Sequence, residues 1–104
     1  MSSRGEMIQV ERMNDEGAWL PHLRMHLLQA NKTRSDEYAA AGGEQNSASV
    51  TFRVRWNKHL PDIELDMPRY RVIWRGAVFD IRGYDDYMQQ HINVDLAGVA
   101  LGNP

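Results

Sequence analysis

Residues 49–56 read SVTFRVRW, with Val50, Phe52, Val54 and Trp56 at every second position and Thr51, Arg53 and Arg55 between them. A helix cannot sort such a run into two faces, whereas a half-buried strand does so automatically, because successive side chains point to opposite sides. The same period returns in HLRMHLL (22–28), where Leu23, Met25 and Leu27 oppose His22, Arg24 and His26. It returns again in DIELDM (62–67), and more weakly in MIQVERM (7–13) and INVDLAGV (92–99). RVIWRGAVFDIRGYDD (71–86) reads as two strands joined by Arg75-Gly76, with Gly83 closing the second. Turn residues lie between these runs: Asn14-Asp15-Glu16-Gly17, Asn57-Lys58 and Pro68. The expectation is an all-β fold: a small single-domain barrel or sandwich of about six to seven short antiparallel strands.

At 104 residues the chain holds one domain, residues 1–104, with limited interior to stabilise it. It has no cysteine, so disulfides and thiolate metal ligands are excluded, which fits a reducing compartment. No apolar run reaches the roughly 20 residues a membrane helix needs, and the N-terminus lacks the apolar core of a secretory leader. A soluble, cytoplasmic protein with no membrane partner is expected. The net charge of −2 argues against a chain whose main task is to neutralise a nucleic-acid backbone.

Residues 30–48, ANKTRSDEYAAAGGEQNSA, show no alternation and are long for a connection inside a small domain. SDEYAAA has the makings of a short helix capped by Ser35 and stopped by Gly42-Gly43. Two readings stand side by side: a disordered insertion, or a loop that orders against a partner.

The side chains nominate no catalytic, cofactor or metal site. His22 and His26 would be ~13 Å apart on a strand, too far to share one ion. Asp85 and Asp86, with Asp80 nearby, lack an accompanying nucleophile or phosphate-cradling loop and read as solvated loop acids. Trp19, Trp56 and Trp74 read mostly as core or near-core packing. Charge is unevenly distributed. Residues 49–75 carry six basic and three acidic side chains, residues 76–104 one basic and four acidic. Three arrangements account for this. Cross-strand ion pairs could join the arginines to the Asp62, Glu64 and Asp66 row. Arg53, Arg55, Arg71, Arg75, Asp80, Asp85 and Asp86 could form a head-to-tail contact between copies. A basic track could use Trp56, Tyr70 and Trp74 as stacking platforms for single-stranded nucleic acid.

In order, IQVERM, NDEGAW, LPHLRMHLLQA, SVTFRVRW, YRVIWRGAVFDIRGYDD and INVDLAGVAL resemble the head–tail joining family of tailed bacteriophages, also called head-closure, stopper or head–tail adaptor proteins. Gly17, Trp19, Thr51, Phe52, Arg53, Arg55, Trp56, Arg75, Gly76, Phe79, Asp80 and Ile81 carry the likeness, which runs from about Glu6 to Leu101. The resemblance implies a structural, non-enzymatic virion protein without cofactors, assembled in the host cytoplasm. It would form a homo-oligomeric ring, six- or twelve-fold, in the phage neck. The portal or an adaptor ring would lie on its head side, a tail-terminator or tail-tube protein on its tail side, and packaged DNA in its channel. It would close the filled head and offer the tail a docking surface. The 30–48 loop would reach the channel, placing Lys32, Arg34, Asp36, Glu37, Tyr38, Gly42, Gly43 and Glu44 where DNA passes. A tail terminator or another neck ring of the same barrel type is the near rival. A single-strand-binding barrel is a more distant one, and a hydrolase using Asp85 and Asp86 only a formal possibility.

Overall fold

The computed structural model describes residues 6–33 and 49–101. Seven antiparallel strands form one sheet: β1 (Met7–Met13), β2 (Trp19–His26), β3 (Gln29–Thr33), β4 (Ser49–Arg55), β5 (Tyr70–Trp74), β6 (Ala77–Asp86) and β7 (Asn93–Ala100). Their order across the sheet is β2-β1-β5-β6-β7-β4-β3. The two outermost strands are consecutive in the chain, separated only by Leu27 and Leu28. The Leu27 amide donates to the Glu6 carbonyl beside β1 (2.9 Å), and the next amide, Leu28, donates to the Arg53 carbonyl on β4 (2.8 Å). One extended run, 19–33, therefore joins both ends of the sheet and closes it into a barrel, which limits the open edges a flat sheet would present.

The inward positions of the alternating strands supply the interior. Ile8, Val10, Val50, Phe52, Val54, Val72, Val94 and Leu96 are essentially inaccessible. Phe52 occupies the middle, with its ring edge-on to Trp74 (5.4 Å) and Phe79 (5.2 Å). Gly98 on β7 leaves the room this needs: a Cβ there would lie 3.0 Å from the Phe79 Cβ and 3.1 Å from the Phe52 ring. A short helix, α1 (Pro61–Leu65), packs onto the barrel with Leu60 and Ile63 fully buried.

The hairpin expected at 71–86 is present, with Trp74 paired to Ala77 across Arg75-Gly76. Both turn residues have positive φ, 52° and 79°, as a two-residue type I′ turn demands. Gly83 does not end the second strand. β6 continues to Asp86 past a bulge between Ile81 and Gly83, so Asp85 and Asp86 are strand residues and not loop residues.

Two expectations fail, and they offset each other in the strand count. DIELDM is not a strand but α1 followed by a 3-10 turn over Met67–Arg69. Pro61 sits in the first helical turn, where its missing N–H is not needed, and Asp62 and Glu64 suit the positive end of the helix. Only Ile63 of the supposed apolar row is fully buried, while Leu65 is 82% exposed. Conversely, Ala30–Thr33 belong to β3, paired with Ser49–Phe52. Gln29, Asn31 and Lys32 are exposed and Ala30 is half-buried, so the strand carries almost no apolar signal of its own. The long connection therefore begins after Thr33. Residues 34–48, with the Ser35-capped helix and its Gly42-Gly43 stop, lie outside the described residues.

Candidate assembly surface

The barrel turns alternate residues of each strand outward, and most arginines on that surface find a carboxylate in the same chain. Arg53 on β4 makes two hydrogen bonds to Asp95 on β7 (2.9 and 3.2 Å), its direct cross-strand neighbour. Arg71 on β5 donates to Glu11 on β1 (2.9 Å), and its guanidinium lies 4.3 Å from the centre of the Trp19 ring. Arg75 donates to both Glu6 oxygens (2.6 and 3.2 Å) and lies over Trp74 at 4.6 Å. The Trp74 indole N–H donates to the same carboxylate at 2.8 Å. These bonds anchor a non-glycine residue in a left-handed turn position that otherwise favours glycine. The Arg75 hydrogen bonds hold the Glu6 carboxyl below its usual value, against the opposing effect of burial. Arg82 pairs with Asp80, and Arg69 with Asp15 and Asp66. Cross-strand pairing is thus common, but its partners are Asp95 and Glu11. Of the Asp62, Glu64 and Asp66 row, only Asp66 joins in, three residues from Arg69.

At the end of β6 the carboxylate of Asp86 accepts the His91 backbone N–H (2.9 Å) and contacts His91 Nδ1 (2.5 Å). The His91 ring stacks on Trp56 at 4.5 Å and 20°, and the Trp56 amide donates to the Ile92 carbonyl (2.9 Å). The connection from β6 to β7 is held this way although Met88, Gln89 and His91 all have φ between 51° and 58°. It presents Tyr87 (67% exposed), Met88 (70%) and Ile92 (57%) to solvent. Such a concentration of left-handed, non-glycine residues under exposed apolar side chains marks a place where conformation is kept at some cost in stability.

Trp56, on which His91 stacks, also lines a groove between β2 and the end of β4, together with Arg24, Met25, His26, Leu28, Arg55 and Asn57. Leu28 there is 48% exposed. Among the described residues Arg24 and Arg55 have no carboxylate partner.

The expected interface residues thus divide. Arg53, Arg71, Arg75, Asp80 and Asp86 all have partners within the chain. Arg55 has none among the described residues, and Asp85 sits directly across from another acid, Asp95. Asp85 and Asp86 point to opposite faces of β6, so they form no carboxylate pair. Of the expected channel residues only Lys32 is described, exposed on β3; Arg34, Asp36, Glu37, Tyr38, Gly42, Gly43 and Glu44 lie outside the described residues. Tyr70 and Trp74 are 3% and 5% exposed, so neither can offer its face to a base. Trp74 is core, whereas Trp19 and Trp56 are only half-buried. No group of three His, Asp or Glu among the described residues could hold a metal ion.

His22 departs from its expected place on the solvated face. The β1–β2 register slips between Val10 and Glu11, which pair with Leu23 and Pro21, leaving His22 as the extra residue. Its ring lies 5.3 Å from Tyr70, and its Nε2 is buried with no hydrogen-bond partner among the described residues. Burial, with Arg12 and His59 nearby, pushes the imidazole below its ordinary value; Asp62 acts in the opposite sense.

Sequence reading passed over Arg24, Leu28, Tyr87 and Met88. The available signal was Tyr87-Met88 standing between two aspartates and two glutamines, an apolar pair in a run with no strand period.

A family model described as phage head completion protein matches residues 14–96, from the turn after β1 to the middle of β7. A search of the curated proteins finds no match. The matched span takes in five of the seven strands whole and the first half of β7, including the closing run and the long hairpin. The chain belongs to the phage head completion protein family, and its role is that of a structural component of the phage head.

Proposed function

We propose that this protein forms a ring in the phage neck, between portal and tail, that closes the DNA-filled head and offers the tail its docking surface. The observation that carries this reading is the head-completion match across a β-barrel whose longest connection leaves and returns at one point. Thr33 and Ser49 are paired residues of β3 and β4, so residues 34–48 depart from and rejoin the barrel side by side. A segment attached in that way can be lengthened or shortened without disturbing the strands. In a ring these segments converge on the channel and narrow it against DNA exit, with Lys32 at their root. Portal or adaptor on one side and tail proteins on the other are the partners of this reading.

The test is to replace residues 34–48 by a short Gly-rich turn in the phage itself. The shortened chain should fold with unchanged circular dichroism and thermal midpoint, while filled heads lose DNA. A shortened chain that folds and still retains DNA removes the channel role. Deleting the whole gene should leave filled or leaking heads beside free, complete tails in electron micrographs. Normal infectious particles would overturn the neck assignment.

A further inference from the structure

We infer that the outer edge of β2 receives an extended segment of an adjoining virion protein, in which acidic and apolar side chains alternate, as one further strand. The inference rests on the neck reading and names the surface and the chemistry of one contact made there.

Backbone geometry supplies the first reason. β2 is an outermost strand, paired with β1 on one side and with no strand on the other among the described residues. The Leu27 amide donates toward β1, to the Glu6 carbonyl, whereas the Leu28 amide donates the other way, to the Arg53 carbonyl. Alternation along an antiparallel strand carries this pattern back through β2, so Arg24 and His26 aim their N–H and C=O groups away from β1. The groove between β2 and the end of β4 lies on that side. It is lined by Arg24, Met25 and His26 in succession and, on the facing rim, by Arg55, Trp56 and Asn57 in succession. Successive strand residues point to opposite faces, so a groove that touches three in a row follows a backbone edge and not a face. A free edge of this kind binds an extended peptide through main-chain hydrogen bonds. The counterpart slot beside β3 is already taken up by side chains: Arg75 there is bonded to Glu6, and Lys32 lies over Trp74 at 5.8 Å.

The lining supplies the second reason. Arg24 and Arg55 stand on the two rims, both in the outward rows of their strands, and no lining residue is acidic. The outward side chains of an incoming strand are therefore acids. Met25 and Trp56 belong to the inward, apolar rows, so the side chains turned the other way are apolar. The alternation follows from the two-residue period of a strand. A second copy offers no such segment among its described residues: its strands bearing outward acids, β1, β6 and β7, are each paired on both sides. The occupant therefore comes from a different chain, and as a structural component of the phage head this protein adjoins other head or tail proteins.

The test places the photo-cross-linking residue p-benzoylphenylalanine at Leu28, exposed and lining the groove, and irradiates purified particles. The adduct should be to a segment of a different virion protein in which acids and apolar residues alternate. A synthetic peptide of that segment, added to the isolated chain, should slow amide exchange at Arg24 and His26 about tenfold, while Leu23 and Met25, already bonded to β1, change little. His26→Pro deletes one donor facing the groove and should weaken that peptide roughly tenfold relative to His26→Ala. Where the residue at Leu28 keeps the chain out of particles, the same residue at Arg55, on the facing rim, gives the same reading. An adduct to a second copy overturns the inference, as does an adduct to a segment without the alternation, or no adduct from particles that contain the chain. Exchange at Arg24 and His26 unchanged by the peptide overturns strand addition. Should His26→Pro not fold, the exchange measurement decides alone. Infectious particles that lack the chain altogether overturn the neck reading itself.

Discussion

Strand β4 has two faces that do different work. Its inward side, Val50, Phe52 and Val54, is inaccessible to water, and Phe52 sits between Trp74 and Phe79. Its outward side is Thr51, Arg53 and Arg55, of which Arg53 is matched by Asp95 and Arg55 by nothing among the described residues. The inner face follows the general rule that a small barrel stands or falls by apolar burial. The outer face follows a different one, in which Arg53 is matched inside the chain and Arg55 carries its charge into solvent. The two faces of a single strand can therefore be altered separately.

The strongest way to break that comparison is Phe52→Ala. Emptying the centre should reduce unfolding free energy by about 3–5 kcal/mol, measured by urea denaturation; a loss below about 1 kcal/mol would mean that the centre repacks and the inner face matters less than its burial suggests. Gly98→Val should follow at about 1–3 kcal/mol, since its side chain would meet Phe79 and Phe52 at distances no rotamer relieves. Acidification should come next. The His22 imidazole is held below its free value of 6.5, so the unfolded chain binds the proton more readily. Stability should therefore be highest above about pH 6.5 and fall as pH drops below it. His22→Gln should flatten that limb of the profile, and an unchanged slope would assign it elsewhere. Glu6, held below 4.5 chiefly by Arg75, adds a second loss only at lower pH. Glu11→Gln removes the carboxylate beside Arg71, a part-exposed pair worth about 0.2–1 kcal/mol. Arg55→Glu should be the smallest of all, within about 0.5 kcal/mol by the same urea measurement.

What could be read from the sequence follows the same division. Period-two alternation marked β1, β2, β4 and β7 because each has an apolar face turned to the interior. The Arg75-Gly76 turn was legible because a two-residue hairpin loop calls for residues that accept positive φ. β3 was hidden because its exposed side chains are polar and only pairing with β4 makes it a strand. DIELDM deceived for the opposite reason: alternating residues over six positions satisfy a strand pattern, but Pro61 and Pro68 bracket a helical turn whose burial depends on Ile63 alone. The charge asymmetry between residues 49–75 and 76–104 was real, but composition could not say which charges were already matched. That needed the cross-strand register, which sets Arg53 against Asp95 and Asp85 against the same acid.

The run from Trp19 to Thr33 lies against β1 for its first half and against β4 for its second. Where most barrels would be sealed by a row of hydrogen bonds between chain segments distant in sequence, this one is crossed by the covalent backbone at Leu27-Leu28. A pull that tries to part the two sides of the wall there loads peptide bonds rather than a ladder that can unzip one rung at a time. The run is in that sense a tie rod. A single proteolytic cut at Leu27-Leu28 would convert the closed wall into an open sheet with two free margins.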